Sequence, residues 1–398
     1  MKPESISVTA KMMLVYVFVA GLVAVATPPA HAQTFGVIHS FSGGSDGGNP
    51  VNGFSANTVG ELFGTASSGG AYGNGVVYKM TVKGAETVLH SFSGGTDGAG
   101  PNAELINSPY GYYGTTTAGG AYGNGTVFLV NGKKETVLYS FAGGADGADP
   151  QAGLVLDAAG NLYGTTSAGG ANGNGTVFEL APPLTKPGKW TETILYSFGG
   201  GTDGVTPVGG VSFDAAGNLY GTTSAGGVYG YGTIFQLVPG TVWTENILHS
   251  FQDGDDGAVP YADLISDSSG NFYGAATEGG NGGGGTIFEL TPAGGSWTFS
   301  VIYSVPGWGI SGSYRKVVLD ASGNLYGTTH CDGDHNAGTV YELTPTGGSW
   351  TYTVLYNFTG GRDGLYSFSN LVVRGGKVYG TTKYGGANGN GVVFEVTP

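Results

Sequence analysis

Residues 160–180 run Gly-Asn-Leu-Tyr-Gly-Thr-Thr-Ser-Ala-Gly-Gly-Ala-Asn-Gly-Asn-Gly-Thr-Val-Phe-Glu-Leu. Two segments, Asn161–Thr166 and Thr176–Leu180, flank a glycine loop and alternate with period two, as in Phe178, Glu179, Leu180, so they read as strands rather than helix. Upstream, Gly153–Asp157 reads as a further strand turning through Ala158-Ala159-Gly160. Downstream, a proline-bearing connection leads to a fourth, Trp190–Phe198, with Ile194, Tyr196 and Phe198 expected on one face. These are strands a, b, c and d of one unit.

The unit recurs. Tyr163 has counterparts at Phe63, Tyr113, Tyr220, Tyr273, Tyr326 and Tyr379, giving spacings of 50, 50, 57, 53, 53 and 53. A second series, Tyr78, Phe128, Phe178, Phe235, Phe288, Tyr341 and Phe394, keeps the same spacings. Such self-similarity marks a repeat architecture. Seven units of about 52 residues with four antiparallel strands each predict an all-β, seven-bladed β-propeller. The ends are out of phase: Phe35–Phe41 is a strand d with nothing before it, and Gly391–Val396 is a strand c with nothing after it. Pairing the N-terminal strand with the last blade would close the ring and remove two exposed edges. A parallel β-helix is the competing fold, but its shorter coils leave the end-to-end offset unexplained.

Residues 1–32 read as a signal peptide: Lys2 and Lys11 precede the apolar run Met12–Ala26, and Ala30-His31-Ala32 fits a cleavage site. The run is 15 residues, shorter than the roughly 20 that span a bilayer. The expectation is a secreted or periplasmic bacterial protein, residues 33–398, with no membrane span after signal removal. The chain's formal net charge is −14, and losing Lys2, Lys11 and Glu4 leaves −15. That balance argues against nucleic acid, which needs a basic surface. Cys331 is the sole cysteine, so no intramolecular disulfide forms. Glycine (80) and proline (17) approach low-complexity levels, but the 24 Tyr and 19 Phe at fixed offsets argue for a packed fold.

The Gly-Asn-Leu-Tyr-Gly-Thr-Thr, Ala-Gly-Gly and Gly-Thr-Val-Phe-Glu-Leu motifs, repeated in register over nearly all of residues 34–398, resemble the bacterial Gloeo/Verruco (GloVer) tandem repeat. The resemblance implies an extracytoplasmic protein, held in some members by a C-terminal sorting signal; here Val392–Pro398 reads as a strand without such a tail. It supplies no reaction, substrate or catalytic residues.

Candidate sites lie in the d-to-a and b-to-c connections, which share one face of a propeller. Six d-to-a loops follow Phe-x-x-Gly-x-Asp-Gly and place Asp46, Asp97, Asp146, Asp203, Asp256 and Asp363 five residues after the strand's Phe. A ring of carboxylates at a concave entrance can bind calcium or another ligand; Asp-Gly is equally a turn dipeptide whose Asp caps its own backbone. The aspartates of Asp-x-x-Gly-Asn (Asp157, Asp214, Asp267, Asp320) read as structural, and Trp190, Trp243, Trp297 and Trp350 as packing. His39, His90 and His249 occupy an aromatic slot held elsewhere by Tyr139, Tyr196, Tyr303 and Tyr356.

Repeat six departs twice. Its d-to-a loop is Pro306-Gly307-Trp308-Gly309-Ile310-Ser311-Gly312, and its b-to-c loop is His330-Cys331-Asp332-Gly333-Asp334-His335. His330, Asp332, Asp334 and His335 are candidate ligands for zinc, against drift of one repeat. Trp308 can stack on a sugar, and Tyr72, Tyr122, Tyr229, Tyr231 and Tyr384 in the glycine loops suit glycan or protein contact. Three functions are weighed: a non-catalytic module binding a glycan or extracellular protein; an extracellular hydrolase or lyase with a metal in repeat six; and a purely structural envelope protein.

Overall fold

In each repeat the glycine of Tyr-Gly-Thr-Thr sits beneath the aromatic of strand c. A Cβ on Gly164 would come within 2.8 Å of both the Phe178 ring and Leu154. That vacancy lets the ring enter the core, where Phe178 is fully buried. The following threonines do two further jobs. Thr166 Oγ1 meets Thr176 Oγ1 at 2.8 Å, tying strand b to strand c, and Thr165 Oγ1 donates 2.9 Å to Gly209 O of the next blade. Equivalent blade-to-blade bonds run from Thr65 to Ala103 O, Thr115 to Ala152 O, Thr222 to Ala262 O and Thr381 to Asn52 O.

The computed structural model describes residues 33–398 apart from Lys186, Trp308–Ser311 and Tyr314; the proposed signal peptide and Trp308 therefore lie outside the described residues. Seven four-stranded antiparallel sheets follow one another along the chain. Blade three, for example, is Val155–Leu156, Leu162–Thr166, Thr176–Ala181 and Thr191–Ser197. The last blade takes three strands from the C-terminus, Val372–Arg374, Lys377–Thr382 and Val392–Thr397, and its fourth from the N-terminus, Thr34–Ser40. Register runs from Thr34↔Thr397 to Ser40↔Val392. The ring closes as the phase of the repeats predicts.

The hydrophobic cores lie between blades rather than within them. Seven clusters each join consecutive blades, the last joining Tyr379 and Val393 of blade seven to Phe54, Leu62 and Tyr78 of blade one. At six junctions the Phe ending strand d meets the next blade's strand-c aromatic, as in Phe198–Phe235 with centroids 5.2 Å apart at 67°, an edge-to-face geometry that aromatic rings prefer. The four tryptophans pack against these clusters.

Strand d differs from the simple alternation read for it. A β-bulge between Val177 and Phe178 pairs them with Tyr196 and Ile194, so Leu195 is the extra residue and turns inward, 7% exposed. The same irregularity recurs in every blade. A bulge kinks the strand and resets its phase.

Candidate binding site at the axial mouth

The d-to-a and b-to-c connections do share a face, since they pair directly through bridges such as Gly48↔Ser68, Ala99↔Ala118 and Ala148↔Ala168. The conserved-position aspartates are spent on the loops themselves. Asp146 accepts from Ala142 N–H at 2.5 Å and from Tyr139 Oη at 2.7 Å; Asp363 accepts from Thr359 N–H at 2.7 Å and Tyr356 Oη at 3.0 Å. Asp46, Asp97 and Asp256 close their turns likewise, with His39, His90 and His249 at 3.4, 3.2 and 2.9 Å, and Asp203 with Tyr196 at 3.1 Å. The aromatic slot and the turn aspartate, seven residues apart, are one device. Because the slot lies on the outermost strand, the carboxylates stand at the rim of the disc, not around its channel entrance. The Asp-x-x-Gly-Asn turns are structural as read: Asp157 Oδ1 accepts from the N–H groups of Ala159 and Asn161, both at 2.8 Å.

The repeat-six loop scatters its side chains. Asp332 accepts from Thr329 Oγ1, His330 packs against Tyr366 and Phe368 at 4.3 and 4.4 Å, and Asp334 and His335 are exposed. Among the described residues no group of three or more His, Cys, Asp or Glu is disposed to hold a metal. Burial, with a contribution from Lys383, pushes His330 down to about 4, so its imidazole is neutral at pH 7. The loop tyrosines Tyr72, Tyr122 and Tyr229 stand 65%, 65% and 53% exposed, each on a separate blade.

A different set converges. After each d-to-a loop the chain turns toward the axis, anchored in five blades by a proline set against a glycine of the preceding blade, as Pro207 is against Gly175. In six blades the residue that follows faces the mouth of the channel, whereas blade six contributes Arg315, one position later in its frame. Val51, Asn102, Gln151, Val208, Tyr261, Arg315 and Phe368, one from each blade, line a cavity of about 190 Å³, and Lys383 completes it. Just below, Lys316 Nζ of blade six reaches Glu104 Oε2 of blade two at 2.6 Å, and Asn370 Nδ2 of blade seven donates to the same oxygen at 2.9 Å. Blades that are not neighbours can meet only on the axis. These side chains close the channel beneath the mouth. Burial alone would lower the Lys316 ammonium, but Glu104 and Asp263 hold it above its ordinary value. Burial lowers Arg315, with Asp263 and Glu104 opposing, and Arg315 Nε is buried with no hydrogen-bond partner among the described residues.

Sequence reading missed this set because its members are unlike one another. The signal lay in the contrast: an invariant frame containing one position that varies freely, Val, Asn, Gln, Val, Tyr and Phe after Pro50, Pro101, Pro150, Pro207, Pro260 and Ser367. A larger cavity of about 550 Å³ opens on the opposite face between blades two and three, with Tyr110, Leu129, Pro182, Pro183 and Trp190 in its walls; it lacks such convergent charge.

Fold and site together define a closed seven-bladed propeller with a mixed-charge cavity on its axis. The chain belongs to the Gloeobacter/Verrucomicrobia repeat family, whose profile matches residues 19–212, 131–315 and 208–398. No curated protein matches it significantly. Solved structures share the fold at low identity. A Bacteroides uniformis protein provisionally assigned as a 6-phosphogluconolactonase has a TM-score of 0.53 at 15% identity over 80% of this chain and 88% of that one. A Lactobacillus plantarum protein has 0.53 at 14% over 81% and 88%, and an ulvan lyase 0.50 at 9% over 88% and 94%.

Proposed function

We propose that this is a binding module of the cell exterior that captures the end of a glycan, or a comparably small polar molecule, in the axial mouth. The observation that carries this reading is the convergence of one non-repeated side chain from each of seven near-identical blades on a single cavity. At about 190 Å³ it is smaller than the roughly 300–1,000 Å³ usual for drug-sized ligands, which suits one sugar ring rather than a long segment. Tyr261 and Phe368 make the wall partly aromatic, and Asn102 and Gln151 bring side-chain amides to it, a mixture of the kind that orients a saccharide. Calorimetry with a glycan panel tests it: Tyr261→Ala and Gln151→Ala should each weaken binding at least tenfold, and unchanged affinity in both would contradict the site.

A second reading is favoured by His330. Its neutral imidazole packs on Phe368 at the edge of the mouth, the form a general base requires, so an enzyme acting on the same ligand is the alternative. Lyase and lactonase assignments among the structural neighbours agree with it only at the level of fold. Release of product from a bound saccharide, lost in His330→Gln, would favour the enzyme; tight binding without turnover favours the module.

A further inference from the structure

We infer that the ligand of the axial mouth is a carboxylated sugar, its carboxylate seated on Arg315. This rests on the mouth being the binding site and goes further, to the charge of what it binds.

The chain has only 14 Lys and Arg against 28 Asp and Glu, yet three of those cations, Arg315, Lys316 and Lys383, meet at the axis. Three carboxylates accompany them: Glu104, Asp263 and Asp149, the last accepting from the mouth residue Gln151 Nε2 at 2.8 Å. Glu104 is held by Lys316 at 2.6 Å, and Asp263 accepts from Gly210 N–H at 2.5 Å. Cations and carboxylates are equal in number there, which still concentrates positive charge in an otherwise strongly acidic protein. Lys383 is fixed there, its Nζ 5.2 Å from the centres of both the Phe368 and Tyr384 rings, a placement favoured by cation–π attraction. His330 adds no charge.

Arg315 is the informative group. Blade six alone puts Arg315-Lys316 where the other blades have Asn52-Gly53, Ala103-Glu104, Ala152-Gly153, Gly209-Gly210, Ala262-Asp263 and Ser369-Asn370. A buried donor without a partner is costly, and a guanidinium is built to take a carboxylate through two parallel hydrogen bonds. A single ring carrying one carboxylate matches the cavity in size and supplies the acceptor that the buried Arg315 Nε lacks.

The test is calorimetric titration of the mature protein with uronic-acid oligosaccharides and with the same oligosaccharides after reduction of the carboxyl to an alcohol. The expected result is binding of the acidic set at least tenfold tighter than the reduced set. Arg315→Gln should abolish that preference while leaving the melting temperature of the ligand-free protein unchanged or higher, because the native Nε has no partner to lose. Arg315→Lys should retain part of the preference through charge alone. Equal affinity for acidic and reduced sugars, or a preference that survives Arg315→Gln, would overturn the inference while leaving the mouth as a saccharide site. Absence of binding by either set would overturn both this inference and the proposed function.

Discussion

The Tyr196 hydroxyl stands between carboxyl groups of two blades, 3.1 Å from Asp203 Oδ2 in its own blade and 2.9 Å from Glu245 Oε2 in the next. A hydroxyl has one proton to donate, so both contacts are hydrogen bonds only if a carboxyl is protonated. Glu245 is that carboxyl: burial, then the neighbouring Asp203 charge, pushes it up to about 8. Glu86, Glu135 and Glu192 occupy the same place at three other junctions, raised by burial and by Asp46, Asp97 and Asp146 to about 7, 7 and 8. At the remaining three junctions a ring replaces the carboxyl and stacks on the slot residue: Phe299 on His249 at 3.9 Å, Tyr352 on Tyr303 at 4.1 Å and Phe35 on Tyr356 at 3.7 Å.

The glutamates make the disc sensitive to alkali. Each ionises near 4.5 in the unfolded chain but at about 7 or 8 in the folded one. Their contribution is therefore complete below about pH 4.5 and is lost as pH rises toward 8. Replacing all four by Gln should leave the melting temperature near that of the native protein at pH 4.5 and raise it by several degrees at pH 8.5. A difference that does not grow with pH would contradict this.

Tyr78 offers a single-residue gain. Its hydroxyl is buried without a hydrogen-bond partner among the described residues, where five sister blades carry Phe. Tyr78→Phe removes a desolvated hydroxyl and should stabilise by about 1 kcal/mol, read from denaturant unfolding.

The rim aspartates should matter to stability and not to ligand. Asp146→Ala strands the Ala142 N–H and the Tyr139 hydroxyl and should cost about 1–3 kcal/mol, with saccharide affinity unchanged in calorimetry.

Ring closure rests on Phe41, fully buried and edge-to-face with Tyr78 of blade one at 5.2 Å. Phe41→Ala should cost about 3–5 kcal/mol, and hydrogen exchange should rise first in Val392–Thr397, the partner of the N-terminal strand.

The architecture was legible because its determinants repeat. Glycine under each strand-c ring, paired threonines and the Asp-Gly turns each recur at one spacing, and the unmatched strands at the two ends reveal the closure. What escaped were features that need the ring in three dimensions. Glu245 and Asp203 belong to different repeats, so their shared tyrosine is invisible in either one. The bulge at Leu195 leaves no mark in composition. Arg315 and Glu104 are more than two hundred positions apart and come together only because blades two and six face the same axis.

A crystal structure of the protein with an acidic oligosaccharide tests the axial mouth directly. The expected density is a single sugar ring in the axial mouth, its carboxylate on Arg315 and its face against Tyr261 or Phe368. A saccharide bound instead along the exposed loops of Tyr72, Tyr122 and Tyr229, with the mouth empty, would contradict it.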